Sequence, residues 1–271
     1  MVKVRIGIVA PAARLEKATA ERVAALAEAA FGGRAELVFH PQCLLSSGHF
    51  AGDDAARAEA FLDFANDAGF AHLWFARGGY GSGRILERVL GGLAAPAKDK
   101  TYMGYSDGGF LLAALYKEGH RVAHGPIPHD VRRTGGEAAV TRALAWLVDK
   151  APAALEPSIA GKAAAFNLTI LGNLIGTPWM PDLSGHVLML EEISEYLYAI
   201  DRLMFHVTSN AALRRLAGIR LGRVSDVPDN DPPFGQTPTE IARHWCAVSG
   251  IPFLGTADIG HDADNKVVPF G

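Results

Sequence analysis

The first half of the chain alternates short apolar runs with segments of helical spacing, and this alternation restricts the fold more than any other feature. Val2–Ala10, Ala35–His40, Ala71–Ala76 and Lys100–Tyr105 read as strands. Leu15–Phe31, Asp53–Ala68, Arg84–Leu90 and Phe110–Tyr116 read as helices between or after them, by the three- and four-residue recurrence of their apolar positions. A strand that feeds a helix through a short loop, repeated, implies a parallel doubly wound α/β sheet. Ligands of such sheets bind beyond the C-terminal ends of the strands. Candidate site residues are therefore sought at those ends.

Two loops stand there. Gly104-Tyr105-Ser106-Asp107-Gly108 joins a strand to an apolar helix. A strand, a sharp turn and a helix in that order present a serine hydroxyl at the end of a sheet. The flanking glycines are expected to permit the turn. The first amides of the following helix favour negative charge developing where Ser106 attacks. The second loop is Arg77-Gly78-Gly79-Tyr80-Gly81-Ser82-Gly83. Its spacing is not that of a P-loop, and it lacks the lysine. It reads either as a structural turn or as backbone brought close to a substrate carbonyl, with Arg77 placed to hold a carboxylate.

A serine nucleophile needs a base and a carboxylate to orient that base. Of the ten histidines, His261 follows Gly260 at a strand end, where a side chain is exposed to a site. His124 and His129 flank a proline loop and, with Asp130, make a weak metal-type set; no metal or cofactor is expected. His72, His186, His206 and His244 read as packed or surface residues. Glu191 and Glu192 follow the apolar strand His186–Leu190. Neighbours on an extended segment face opposite ways, so one of the two can enter a site while the other points away. Glu195 fits helix N-terminal charge better. The order Ser106, Glu191, His261 is one that serine hydrolases use, which makes the α/β-hydrolase fold a competitor. Against it, no His-Gly-Gly-Gly segment lies upstream.

Beyond the loop His124–His129 and the helix Gly136–Val148, residues 151–165 are rich in Ala and Pro and read as a connection. Residues 1–150 then form one domain, carrying Ser106. Residues 166–271 form a smaller second domain, carrying Glu191 and His261. In that half Phe166–Ile175 has helical spacing, a long helix begins near Tyr196, and Ile219–Val224 and Ile251–Ala257 read as strands. The loop Ser225–Pro238, rich in Asp and Pro, is long enough to be functional or mobile.

Composition excludes several partners. A net charge of -3 with mixed signs offers no basic stripe for nucleic acid. No apolar run approaches the ~20 residues that span a membrane. Lys3 and Arg5 before Ile6–Ala10 faintly resemble a secretory leader, but a first buried strand fits better. Cys43 and Cys246 fit no disulfide or metal framework, which points to a reducing compartment.

Taken together, the motifs resemble those of the LD-carboxypeptidases, or muramoyltetrapeptide carboxypeptidases, whose relatives include the microcin C self-immunity peptidases. The matching segments are Ala10-Pro11-Ala12, Arg77–Gly81, Gly104–Asp107, His124-Gly125-Pro126, Asn167-Leu168, Gly176–Leu183, Leu190-Glu191-Glu192 with Glu195, Ile200-Asp201-Arg202 and Gly260-His261. The resemblance implies a Rossmann-like N-terminal domain, a smaller β/α C-terminal domain and a triad shared between them. It implies Ser106 as nucleophile, Glu191 as acid, His261 as base, and an oxyanion hole from the backbone N–H groups of Asp107 and Gly79. It further implies a cytoplasmic homodimer that releases terminal D-alanine from murein tetrapeptides in cell-wall recycling. Arg77 and Arg202 are the candidates for the substrate's free carboxylate. An amide hydrolase for aminoacyl nucleotides is the second reading, with Phe234 as a stacking residue. A silent peptide-binding relative is the third, and the intact Ser, Glu and His argue against it. Ala165-Phe166 departs from the family's usual Gly-Gly.

Overall fold

The computed structural model describes residues 3–271. The expected first strand began at Val2, which lies outside the described residues. Two sheets make up the molecule. The first runs β10-β5-β4-β3-β1-β2, built from β1 (Val4–Val9), β2 (Ala35–Phe39), β3 (His72–Phe75), β4 (Thr101–Gly104), β5 (Arg121–His124) and β10 (Val268–Pro269). All its pairings are parallel except that of β10 with β5. The second sheet is parallel throughout, in the order β6 (Ala163–Asn167), β7 (Val187–Ile193), β8 (Gly218–Ser225), β9 (Phe253–Thr256).

Helices α1 (Lys17–Phe31), α2 (Asp54–Asn66), α3 (Leu86–Gly92), α4 (Gly109–Lys117) and α5 (Gly136–Asp149) belong to the first half. Helices α6 (Leu168–Leu174), α7 (Leu197–Ser209) and α8 (Pro238–Ser249) belong to the second. Their starts follow local chemistry: Asp53 caps α2 by accepting from the Ala56 amide at 2.8 Å, and Thr237 with Glu240 forms a capping box on α8. β3 and β4 are buried at every residue, as strands covered on both faces must be.

One apolar core joins the two sheets. Leu111, Leu112 and Leu115 of α4 belong to the same cluster as Phe166, Leu168 and Leu171, and as Leu188 and Leu190 of β7. Phe166 packs edge-on against Phe270, with ring centroids 5.1 Å apart. The Phe166 side chain thus fills the seam between the sheets.

Three features differ from the sequence reading. Phe166 and Asn167 belong to β6, not to a helix, and α6 starts one residue later, at Leu168. Helical spacing there coincides with burial of every β6 residue against β7, and packing overrides the helix preference of its alanines. The segment expected as a connection already contains the first three residues of β6. Finally, the chain does not end in its second sheet: β10 crosses back and pairs with β5, Val268 opposite His124. An antiparallel edge strand of two residues carries too little pattern to read. Both cysteines are free and buried, and burial pushes the Cys43 thiol up to about 12.

Candidate active site

The loop after β4 is a sharp elbow. Tyr105 is extended, and Ser106 alone turns the chain, at φ +57°. A left-handed serine costs roughly 1 kcal/mol or more, and such outliers cluster at functional sites. Gly104 and Gly108 were expected to supply the turn; neither has positive φ. Their role is steric. A Cβ on Gly104 would lie 2.5 Å from the Phe75 ring, and one on Gly108 would lie 2.9 Å from it.

The glycine loop after β3 packs directly on this elbow. A Cβ on Gly78 would lie 2.9 Å from Ser106 Cβ and 3.0 Å from its Oγ. Gly79 takes φ +103°, accessible to glycine alone at low cost. The Asp107 carboxylate ties loop to elbow, accepting from the Ser82 amide at 2.8 Å and the Gly81 amide at 3.2 Å. Ser82 Oγ donates back to the Asp107 carbonyl at 2.5 Å. From behind, the buried Arg57 guanidinium donates to the carbonyls of Gly81 and Pro11. Sequence reasoning assigned Asp107 only its backbone N–H; no pattern marks its side chain as the link.

The second half supplies the other wall. Glu191 and Glu192 both lie within β7 and both are buried, on opposite faces as strand alternation requires. Glu192 points away, accepting from Asn167 Nδ2 at 2.6 Å, Thr169 Oγ1 at 2.7 Å, and the amides of Thr169 at 2.8 Å and Ile193 at 2.9 Å. Glu191 faces His261, whose Nδ1 donates to its carboxylate at 2.5 Å. The two residues are 70 positions apart in sequence. Burial disfavours the imidazolium, but the Glu191 charge and hydrogen bond outweigh it and hold the His261 pKa above its usual 6.5. With Nδ1 committed to Glu191, the Nε2 edge is the one left for chemistry.

A strapped loop carries His261. Arg223 of β8 donates to Asp262 and, at 2.5 Å, to Asp258. Arg142 of α5 donates to the carbonyls of Ala263 and Asn265 at 2.9 and 2.8 Å. The buried Asn265 accepts from the Gly260 amide at 3.2 Å and meets His124 Nε2 at 3.1 Å. Both sheets therefore hold the base in place.

Ser106 and His261 line one cavity of about 180 Å³ together with Arg77, Gly78, Gly79, Tyr105, Ile127, His129, Asp130 and Arg133. Arg77 is thus at the cavity, while Arg202 is not among its lining residues: it is exposed on α7 and lies over the Tyr198 ring. Phe234 lines a different cavity, with Leu197 and Pro228. His124, His129 and Asp130 do not converge as ligands. Asp130 accepts from Tyr105 Oη at 2.7 Å, the Ile127 amide at 2.9 Å and Arg133 Nε at 3.2 Å. Among the described residues no group of three His, Cys, Asp or Glu could hold a metal ion.

On this α/β fold, a serine on a strained strand-to-helix elbow and the histidine of a buried carboxylate–histidine pair line one cavity, the residue types that serine hydrolases use. Residues 6–125 match the model of the LD-carboxypeptidase N-terminal domain, and residues 160–271 match that of the C-terminal domain. A protein of Synechocystis sp. named for carboxypeptidase activity is 30% identical over 232 residues, covering 83% of this chain and 75% of its own length. The murein tetrapeptide carboxypeptidase of Pseudomonas aeruginosa is 27% identical over 216 residues, 73% of this chain and 70% of that one. The fold is also that of the muramoyltetrapeptide carboxypeptidase of Oxalobacter formigenes, with TM-score 0.83 and 22% identity over 99% of this chain and 93% of that one. The microcin C7 self-immunity protein MccF, in complex with aspartyl sulfamoyl adenosine, superposes with TM-score 0.82 at 18% identity over 100% of this chain and 92% of that one. The chain belongs to the LD-carboxypeptidase family.

Proposed function

We propose that this chain is a serine LD-carboxypeptidase that removes the terminal D-alanine of a murein tetrapeptide. The observation that carries the reading is the buried His261–Glu191 hydrogen bond on the wall of the cavity that also holds Ser106. His261 Nε2 takes the Ser106 proton as Oγ attacks the scissile carbonyl. Glu191 fixes the tautomer and stabilises the imidazolium. The oxyanion falls to the backbone N–H groups of Asp107 and Gly79, neither of which has a partner among the described residues. A donor of that kind is worth roughly 100- to 1000-fold in turnover. His261 then returns the proton to the leaving amine, and water, activated by the same imidazole, releases the acyl group from Ser106.

Two guanidinium groups at the cavity suit a substrate with a free carboxylate. The aminoacyl-nucleotide reading has less support, because the aromatic residue chosen to stack on a base, Phe234, lines another cavity. Work in the cytoplasm and a homodimer belong to the same proposal. Exposed Tyr198, Phe205 and Val248 on α7 and α8 offer an apolar face for a second copy. Among the described residues no helix is long and apolar enough to cross a membrane. The test is incubation of the purified protein with the murein tetrapeptide, followed by mass analysis. Loss of one alanine is expected; an unchanged tetrapeptide, with turnover of an aminoacyl sulfamoyl nucleotide instead, would transfer the chain to the second reading.

A further inference from the structure

We infer that Arg133, and not Arg77, receives the free carboxylate of the residue that is cleaved off; the inference rests on the carboxypeptidase reading above. The leaving amine takes its proton from His261, so the departing residue lies on the His261 side of Ser106. In an amino acid the carboxylate carbon stands about 2.5 Å from that nitrogen, given the N–Cα and Cα–C bond lengths. Its receptor must therefore be a neighbour of His261.

Arg133 meets that condition. It lines the cavity, and its charge is close enough to His261 to work against protonation of the ring. Its Nε is held by Asp130 at 3.2 Å, with the Tyr105 hydroxyl beside the guanidinium, and its terminal nitrogens make no hydrogen bond within 3.5 Å among the described residues. A guanidinium anchored at Nε presents the terminal nitrogens as a fork for a carboxylate. The same Asp130 oxygen accepts from Tyr105 Oη at 2.7 Å, and the Tyr105 ring packs on the His261 ring at 4.8 Å. One buried carboxylate thus sets Arg133 and the base in a common frame.

Arg77 belongs to the glycine-loop wall, and one of its terminal nitrogens is already engaged. It immediately precedes Gly78, which abuts Ser106 on the glycine-loop wall, and its Nη1 donates to the Arg14 carbonyl at 3.1 Å. His129 lines the same cavity, and burial and then Arg77, Arg132 and Arg133 hold it neutral, with a pKa of about 4.

Calorimetric titration separates the two arginines. The Ser106→Ala protein is titrated with the tetrapeptide and with the same peptide amidated at its C-terminus, so that no turnover intervenes. It should bind the free acid at least about tenfold more tightly than the amide. Adding Arg133→Met should erase that preference; adding Arg77→Met should weaken both ligands by a similar factor and keep it. If Arg133→Met fails to fold because Asp130 loses its partner, Asp130→Asn with Arg133→Met removes the buried charge as well and takes its place. A preference that survives loss of Arg133, one erased by loss of Arg77, or none in the Ser106→Ala protein overturns the inference. Wild-type protein that releases no alanine from the tetrapeptide overturns the carboxypeptidase reading itself, and the inference falls with it.

Discussion

Gly78→Ala is the sharpest test of how the glycine loop serves the nucleophile. The added Cβ would stand 2.9 Å from Ser106 Cβ and 3.0 Å from Oγ, where ordinary contacts begin at 3.4 Å. Relief requires a shift of about 0.5–1 Å, the difference between those contacts and van der Waals spacing. Neither partner is free to give it. The Gly78 carbonyl accepts from the Ala13 amide at 3.3 Å, and Asp107 is bound to the amides of Gly81 and Ser82. Overpacking of this kind costs about 1–3 kcal/mol. Expressed wholly at the barrier, that is roughly 5- to 150-fold in rate, and a 1 Å misplacement of a reacting group reaches the upper end. Steady-state kcat/KM on the tetrapeptide, with thermal unfolding in parallel, reads the effect. Gly91→Ala is the control: nothing lies within 4 Å of its added Cβ at the end of α3, and it should leave activity unchanged. A Gly78→Ala enzyme within twofold of wild type would refute the idea that the loop positions Ser106.

Further outcomes follow from the same geometry. Ser106→Ala should abolish turnover with little loss of stability, since only the hydroxyl is removed; residual activity in purified protein would exclude Ser106 as nucleophile. Glu191→Gln should depress kcat strongly. Glu192→Gln should instead lower stability by about 2–3 kcal/mol, because a buried carboxylate with four donors loses charge-assisted bonds; equal losses of kcat in the two variants would contradict the facing of β7. The acidic limb of kcat/KM should have its inflection above pH 6.5, because His261 must be neutral to act and Glu191 holds its pKa up. Folding stability from the same group is fully present below pH 6.5 and declines as pH rises through the raised pKa. Glu191→Gln should move the kinetic inflection down, and an unmoved inflection would assign it to another group.

Much of this was legible locally. Strand, turn and helix around Ser106 follow from residues adjacent in sequence, and so does the opposite facing of Glu191 and Glu192, since period-two alternation needs no partner. The parallel character of the first half was carried by the spacing of its apolar runs; that of the second sheet was not. Other features depended on residues far apart. Of ten histidines the sequence singled out His261 by its place after Gly260 at a strand end, but its meeting with Glu191, 70 residues away, is a contact only the fold makes. Gly104 and Gly108 looked like turn residues until Phe75 was seen to occupy the space their side chains would need. Asp130 resembled a metal ligand beside two histidines, but Tyr105 and Arg133 share one of its oxygens and the Ile127 amide takes the other. Pattern along the chain reports what each residue prefers for itself. Which groups share a cavity is decided by the packing of α4 and β6 in one core and by a last strand that returns to the first sheet, and those are long-range contacts that local preference does not encode.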